Sequence, residues 1–206
     1  GETLHVWGMP EGDYVVLPFF GASTERDGLG ILGDFMLNPL SYVLPTEVRQ
    51  LPKAAWVMSK FGDRYTNWDW KMLGEVVREV SSKYHVDESM RSVTGFSMGG
   101  SAAWELPSFE PKLFSKSVVI AGVCHPWSLR HYPKTEVWVF VGLKDYMRKE
   151  QQETVTSAKR FKVDVVESTH KDADHGGIFK HAMVHQPMLD WLVSQDDTRT
   201  AGVIEE

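Results

Sequence analysis

The chain has 206 residues, of which 42% are hydrophobic and 24% charged, a composition typical of an ordinary globular protein of about one domain. Its formal net charge of −6 and the lack of a basic run argue against nucleic acid as a partner. The longest apolar stretches, such as Tyr14–Phe20, are too short to span a bilayer, so the sequence gives no clear sign of membrane association. Cys124 is the only cysteine, which excludes an intrachain disulfide and leaves the compartment open between the cytoplasm and export with a leader removed.

Two apolar runs open the chain, at 3–7 and Tyr14–Phe20, and the glycine-containing segment between them predicts a hairpin. Residues 26–43 carry only interrupted helical periodicity, which predicts a partial helix. The apolar run at 54–59 predicts a buried strand.

The clearest helix is predicted over 68–84, where apolar residues recur at helical spacing, with Asn67 as its cap. The sequence further predicts strands over 91–94, 116–121, 136–141 and 163–167, a final helix from Pro187, and a polar tail that frays from Gln195 onward. This alternation of strands and helices predicts a mostly parallel sheet with helices on both faces.

Residues 95–99 (GFSMG) match G-x-S-x-G, the tight strand-to-helix turn that presents a nucleophilic serine. A predicted strand precedes the motif and a small-residue helix follows it, which is the context this turn requires. An ordinary glycine-rich turn is the alternative interpretation. The motif therefore predicts Ser97 as a nucleophile.

A serine hydroxyl needs a base within hydrogen-bond reach, and that base needs an orienting acid. In proteins with this turn, the order along the chain is serine, acid, histidine. Asp145, which follows the strand at 136–141, is the predicted acid, and capping of the helix predicted over 148–159 is its alternative role. His175, on a glycine-containing loop after the strand at 163–167, is the predicted base, with His170 as the alternative.

Neighbouring residues offer other interpretations of this region. The alternative acids are Asp164, Asp172 and Asp174. His181 and His185 are spaced to share a helix face, which is compatible with a zinc cluster, but the H-E-x-x-H pattern is lacking and no cysteine lies nearby. The sequence therefore predicts no metal site.

An oxyanion formed during attack on a carbonyl needs two preorganised donors. The backbone N–H of Met98, which follows the nucleophile, is the first predicted donor, and the N–H of Ala22, after the second apolar run, is the other. A plain turn is the alternative for Ala22. The predicted substrate-lining residues are Trp104, His125 and Trp127, and packing in the core is the alternative for Trp104.

Several stretches together carry a family resemblance. They are 93–100 (VTGFSMGG), 103–106 (AWEL), 111–114 (PKLF), 137–145 (VWVFVGLKD), 174–175 (DH) and 190–192 (DWL). From about residue 52 to 195, the chain resembles the α/β-hydrolase superfamily, and within it esterases of the feruloyl-esterase and polyhydroxybutyrate-depolymerase-like group. The resemblance implies a reduced single-domain α/β hydrolase, with Ser97, Asp145 and His175 as its triad.

Residues 1–50 resemble a different family. The stretches 1–8 (GETLHVWG), 14–18 (YVVLP) and 26–28 (RDG) are similar to part of the MlaA/VacJ lipoproteins, in which the segment belongs to a membrane-embedded helical scaffold. The hypothesis is a natural or engineered recombinant, a single domain over 1–195 in which residues 1–50 supply the early strands and the oxyanion loop to a hydrolase core at 51–195. The tail would be 196–206.

The oxyanion loop departs from the pattern that the resemblance implies. The hydrolase group usually has Leu-His-Gly-x-Gly there, whereas this chain has FFGAS at 19–23, with Phe20 in place of the histidine and Ser23 in place of the second glycine. The sequence nevertheless predicts a serine esterase acting on small-molecule, short-acyl esters without a cofactor. The alternatives are a peptidase of the same fold, or a weak or inactive hydrolase fold with a lipid- or membrane-binding role.

Overall fold

The computed structural model describes residues 4–7, 14–20, 54–59, 70–83, 88–192 and 194–204. The partial helix predicted over 26–43, the cap Asn67 and the oxyanion candidate Ala22 lie outside these residues.

The described strands form one sheet with the order β1-β3-β2-β4-β5-β6-β7-β8. The strands are β1 (Leu4–Trp7), β2 (Tyr14–Phe20), β3 (Ala54–Ser59), β4 (Ser92–Phe96), β5 (Lys116–Ile120), β6 (Glu136–Gly142), β7 (Val165–His170) and β8 (Gly202–Val203). β1 pairs antiparallel with β3, and every other neighbouring pair in this sheet is parallel. The prediction of a mostly parallel sheet is confirmed.

The predicted hairpin between the first two strands is wrong, because β3 lies between them. Val6 of β1 pairs with Val57 in antiparallel register, and Val16 of β2 pairs with Trp56 in parallel register. On its other side β2 pairs with β4. An apolar run identifies a strand but not its partner. Here β2 pairs in parallel with β3 and β4, and β1 pairs antiparallel with β3.

Five α-helices are present in the described part of the chain. They are α1 (Trp70–Lys83), α2 (Met98–Phe109), α3 (Arg148–Arg160), α4 (His175–Met183) and α5 (Gln186–Leu192). Short 3₁₀ turns lie at Glu88–Met90 and Pro126–Leu129. Among the described residues, no helix is both long and apolar enough to cross a membrane.

Strand β6 shows how the sheet separates two helical layers. Its alternate residues Val137, Val139 and Val141 belong to a core cluster with residues of α1, α2 and α3. Trp138 and Phe140, which point to the opposite face, belong to a second cluster with residues of α4 and α5. Because β6 is buried on both faces, it is a continuous apolar run, as strands inside parallel sheets usually are.

Part of the C-terminal segment, which was predicted to fray, contacts the sheet. β8 pairs with β7 at the edge of the sheet, and the side chain of Arg199 is fully buried. Its guanidinium donates to the carboxylates of Asp164 and Asp197, at 2.8 Å each, and its hydrogen bonds to Asp197 lower the pKa of that carboxyl. The polar composition predicted fraying, because it could not reveal that the guanidinium of Arg199 would bind two carboxylates.

Candidate active site

The predicted nucleophile, acid and base each follow a strand of the parallel part of the sheet. Ser97 comes directly after β4, Asp145 lies beyond the end of β6, and His175 lies beyond the end of β7. Because the carboxyl ends of parallel strands meet at one edge of a sheet, the topology brings these three residues to the same edge.

Ser97 occupies a sharp turn between β4 and α2. Its backbone has φ 56° and ψ −115°, a positive-φ conformation that residues other than glycine rarely adopt. Its N–H donates to the carbonyl oxygen of Ile120, at 2.9 Å, which ties the turn to the end of β5. Such strain costs about 1–3 kcal/mol and persists only where the surrounding structure holds it.

The start of α2 lies directly against the end of β5 through two glycines. A Cβ added at Gly122 would lie 2.3 Å from the carbonyl carbon of Gly100, and one added at Gly100 would lie 2.6 Å from the Ile120 oxygen. Both contacts are with backbone atoms, which have no rotamer to change. The two glycines therefore set how closely the helix after Ser97 approaches the sheet.

We expect Gly122→Ala to lower the free energy of unfolding by about 3 kcal/mol, the upper range for forced overpacking. The measurement is chemical denaturation followed by circular dichroism. Gly176→Ala is the matched control, because its added Cβ would meet nothing nearer than an Asp174 oxygen at 4.0 Å and because alanine favours a helix. Equal stability of the two variants would contradict the close approach.

The three side chains form a continuous chain of hydrogen bonds. His175 Nε2 lies 2.8 Å from Ser97 Oγ, and His175 Nδ1 lies 2.8 Å from Asp145 Oδ2. An ionised carboxylate can only accept, so it selects the tautomer in which Nδ1–H donates to Asp145. Nε2 is then free of its proton and positioned to accept the one on the Ser97 hydroxyl.

The Asp145 carboxylate is fully buried and makes contacts beyond His175. Its Oδ1 accepts the backbone N–H of Met147, at 2.8 Å, just before α3 begins. Its Oδ2 also accepts from the side-chain amide of Gln151, at 2.8 Å. The N-cap of α3 is Met147 and the helix has no side-chain cap, so Asp145 holds the turn before the helix and does not have the capping role considered from the sequence.

Gln151 is a residue that the sequence reasoning missed. It is fully buried on α3, together with Thr154, Val155 and Ala158. These positions have the spacing of one helix face, so a signal existed in the form of a glutamine on the apolar side of a predicted helix. The structure places its amide against the carboxylate that holds His175.

His175 is the first residue of α4, so the prediction that it lies on a loop is wrong. Asp174 caps this helix, because its Oδ1 accepts the N–H of Gly177 at 2.7 Å. The glycines that favoured a loop lie inside the first turn of the helix. Aromatic rings flank the imidazole, with centroid distances of 5.0 Å to Phe96 and 4.8 Å to Tyr146.

The alternative acids and base contact other groups. His170 is buried and stacks on His181, with ring centroids 3.7 Å apart. Asp172 accepts a hydrogen bond from Lys144 at 2.7 Å, which lowers the pKa of that carboxyl. Asp164 pairs with Arg199, as described above, and Asp174 caps α4. Each alternative residue therefore has a partner away from Ser97.

His181 and His185, the two histidines considered as zinc ligands, pack against other rings. His185 meets the edges of Trp138 and Phe140, with centroid distances of 5.7 and 5.6 Å, and burial lowers the pKa of its imidazole. His181 stacks on His170. Within the part of the chain that the structure describes, no group of three or more histidine, cysteine, aspartate or glutamate side chains is arranged to hold a metal ion.

The predicted oxyanion donor on the helix is Met98, the first residue of α2. The N–H groups of a first helical turn have no intrahelical acceptor, and they carry the positive end of the helix dipole. Met98 N–H therefore stands at the helix end that directly follows Ser97. The second predicted donor, Ala22, lies outside the described residues.

The predicted substrate-lining residues differ in exposure. Trp104 is fully buried in the core and packs edge-on against Tyr132, at a centroid distance of 6.2 Å, which favours the packing role over a substrate contact. Trp127 is 66% exposed, and the Arg130 guanidinium lies over its ring at 4.4 Å. His125 is exposed, and its Nδ1 accepts the N–H of Trp127.

A sequence comparison matches residues 1–93 to the MlaA lipoprotein family model. The match covers less than half of the chain and extends past the predicted boundary at residue 50, through β1–β3 and α1 into the first residues of β4. No curated protein matches this sequence.

Solved structures of esterases and other serine hydrolases resemble nearly the whole chain. An esterase from Pyrobaculum calidifontis matches with a TM-score of 0.71 at 14% identity, over 93% of this chain and 80% of that one. The S-formylglutathione hydrolase FrmB from Staphylococcus aureus matches with a TM-score of 0.67 at 12% identity, over 91% and 86%. A ferulic acid esterase matches with a TM-score of 0.64 at 13% identity, over 92% and 90%. The chain therefore has the α/β-hydrolase fold.

Proposed function

We propose that this protein hydrolyses carboxylic esters through Ser97, His175 and Asp145. The observation that carries the proposal is the pair of 2.8 Å contacts that join the Ser97 hydroxyl to the imidazole and the imidazole to the carboxylate. Nucleophile, base and orienting acid in hydrogen-bonded sequence are the arrangement that activates a serine. The likeness to esterase structures supports a hydrolase of this fold.

Acylation begins when Ser97 Oγ attacks the carbonyl carbon of the ester while His175 Nε2 takes the hydroxyl proton. The imidazolium that forms is stabilised by Asp145, and the carbonyl oxygen becomes an oxyanion. The bond to the leaving alcohol then breaks, and His175 delivers the proton to the departing oxygen. Water attacks the acyl group on Ser97 with His175 again as base, which releases the acid and restores the hydroxyl.

Two backbone donors are proposed to hold the oxyanion. Met98 N–H begins α2 beside Ser97. β2 ends at Phe20, in register with Phe96, so the chain leaves β2 next to the residue that precedes the nucleophile. This register supports Ala22 N–H as the second donor. Loss of one such donor typically lowers kcat by about 10²- to 10³-fold.

Active-site labelling tests which serine is activated. We expect a fluorophosphonate probe to modify the native protein at Ser97, with the site mapped by peptide mass spectrometry. Ser101→Ala is the matched control and should still be labelled at Ser97. Ser101 lies one turn further along α2, and its hydroxyl donates to the Ser97 carbonyl oxygen at 3.4 Å. Modification at another residue, or none, would contradict the proposal.

A comparison of acyl types separates an esterase from a peptidase. We expect short-chain p-nitrophenyl esters to be hydrolysed with a much larger kcat/KM than aminoacyl p-nitroanilides. Both substrates release a chromophore, so one absorbance assay covers them. A larger kcat/KM for the anilides would replace the esterase proposal by the peptidase alternative.

We expect Gln151→Leu to lower kcat by about tenfold or more while KM changes little. The substitution removes the amide that donates to Asp145 Oδ2, and a hydrogen bond to a charged group contributes about 1.5–3 kcal/mol. The lost donor leaves the carboxylate less well oriented toward His175, which affects the chemical step more than substrate binding. The measurement is a steady-state titration with a short-chain ester.

Gln152→Leu is the control for this prediction, because it makes the same substitution at the neighbouring, exposed position of α3. We expect its kcat to equal that of the wild type. A Gln151→Leu variant with unchanged kcat, or with a change confined to KM, would show that the amide does not position the acid.

A further inference from the structure

Tyr146 is the most exposed large hydrophobic side chain of the described residues, at 78%. It directly follows Asp145, and its ring lies against the His175 ring with a centroid distance of 4.8 Å and a tilt of 46°. An exposed aromatic ring beside a reactive group offers a flat apolar surface against which the ring of a bound molecule can pack. Tyr146 is therefore a candidate binding surface at the catalytic histidine.

The backbone around Tyr146 is held in place. Asp145 N–H donates to the Gly142 carbonyl oxygen, and Arg148 N–H donates to the Asp145 carbonyl oxygen, both at 3.1 Å. Met147 N–H donates to the buried Asp145 carboxylate at 2.8 Å. These bonds fix the turn on both sides of Tyr146, so the exposed ring stands on a rigid support, as a binding surface requires.

The leaving alcohol must lie close to the imidazole against which this ring packs. His175 Nε2, 2.8 Å from Ser97 Oγ, delivers the proton to the departing oxygen, which must then come within about 3 Å of that nitrogen. The other ring against the imidazole, Phe96, is half-buried and packs against Phe179 at 5.0 Å. Among the described residues, the exposed aromatic ring against the imidazole is that of Tyr146, which makes it available to an alcohol that binds beside His175.

We propose that Tyr146 forms a subsite for the leaving alcohol and that esters of alcohols bearing an apolar ring are preferred over methyl esters. This inference rests on the proposed esterase function and adds the alcohol class to it. A ring placed against Tyr146 gains an aromatic contact that a methyl group does not. The contact raises kcat/KM for the ring-bearing ester by roughly threefold to tenfold.

The test compares benzyl acetate with methyl acetate, which share an acyl group and differ in the alcohol. We expect Tyr146→Ala to lower the ratio of kcat/KM for benzyl acetate over methyl acetate by roughly threefold to tenfold. Tyr146→Phe keeps the ring and should keep the ratio. Phe109→Ala removes another exposed aromatic side chain, 53% exposed at the far end of α2, and should also leave the ratio unchanged.

Two results would overturn the subsite. One is an unchanged ratio in Tyr146→Ala, and the other is an equal loss for both esters, which would mean that the ring acts only by orienting His175. In either case the wild type would still turn over ester and accept the fluorophosphonate at Ser97. A wild-type protein that hydrolyses neither acetate and is not labelled would instead overturn the esterase function, and the subsite with it.

Discussion

Ser97→Ala is expected to lower kcat/KM for ester hydrolysis by about 10⁴-fold or more, the usual loss when a triad nucleophile is removed. The alanine has no oxygen to attack the carbonyl, and His175 then has no hydroxyl proton to accept. Initial rates with a p-nitrophenyl ester measure the loss. Residual turnover within about tenfold of the wild type would remove Ser97 from the mechanism.

The fold of this variant should be unchanged, because the turn is maintained by backbone contacts. Ser97 N–H bonds to the Ile120 oxygen and Ser101 N–H bonds to the Ser97 oxygen, and neither bond uses the hydroxyl. Alanine, like serine, carries a Cβ atom, so the substitution leaves the steric cost of φ 56° unchanged. Chemical denaturation curves that coincide with those of the wild type would establish that lost turnover is a loss of chemistry.

Deleting residues 1–50 is expected to abolish folding, the largest structural effect that we predict. The deletion removes β1 and β2, and β2 pairs with β3 on one side and β4 on the other. Without it, β3 loses its connection to the sheet, and β4, which carries Ser97, becomes an unprotected edge. Far-UV circular dichroism and the soluble fraction after expression measure the outcome.

A graded control uses a shorter deletion, of residues 1–8. It removes only β1, an edge strand that pairs with β3 alone, so the remaining seven strands keep their order. We expect this variant to fold with lower stability. A folded, active protein comprising residues 51–206 would refute the hypothesis that the N-terminal segment supplies strands to the hydrolase sheet.

Local signals predicted the part of the molecule around Ser97 well. The strand before Ser97 and the helix after it follow from a short apolar run, a G-x-S-x-G turn and small residues, all within about twenty neighbouring positions. The prediction of β6 was equally clear, because a strand that is buried on both faces of a sheet is apolar along most of its length. The order of Ser97, Asp145 and His175 then placed them at one sheet edge.

Interactions between distant residues explain what the sequence could not predict. The pairing of β2 with β4 joins Phe20 to Phe96, and nothing near Phe20 marks that partner. The burial of Arg199 depends on Asp164, which lies in another part of the chain. At His175, the two following glycines favoured the prediction of a loop. The capping side chain of Asp174, which marks the start of α4, was the signal for a helix.

The carboxylate of Asp145 serves two purposes at once, since one oxygen receives the N–H of Met147 at the start of α3 and the other receives the imidazole. If the proposed activity were lost in a descendant, this aspartate would still accept the hydrogen bond of the turn before α3. The side-chain hydrogen bonds of Ser97 and His175 described above lie within the triad, so we expect these two residues to diverge first. Among relatives of this protein, retention of aspartate is therefore weak evidence of activity, and joint retention of serine and histidine is the sign to look for.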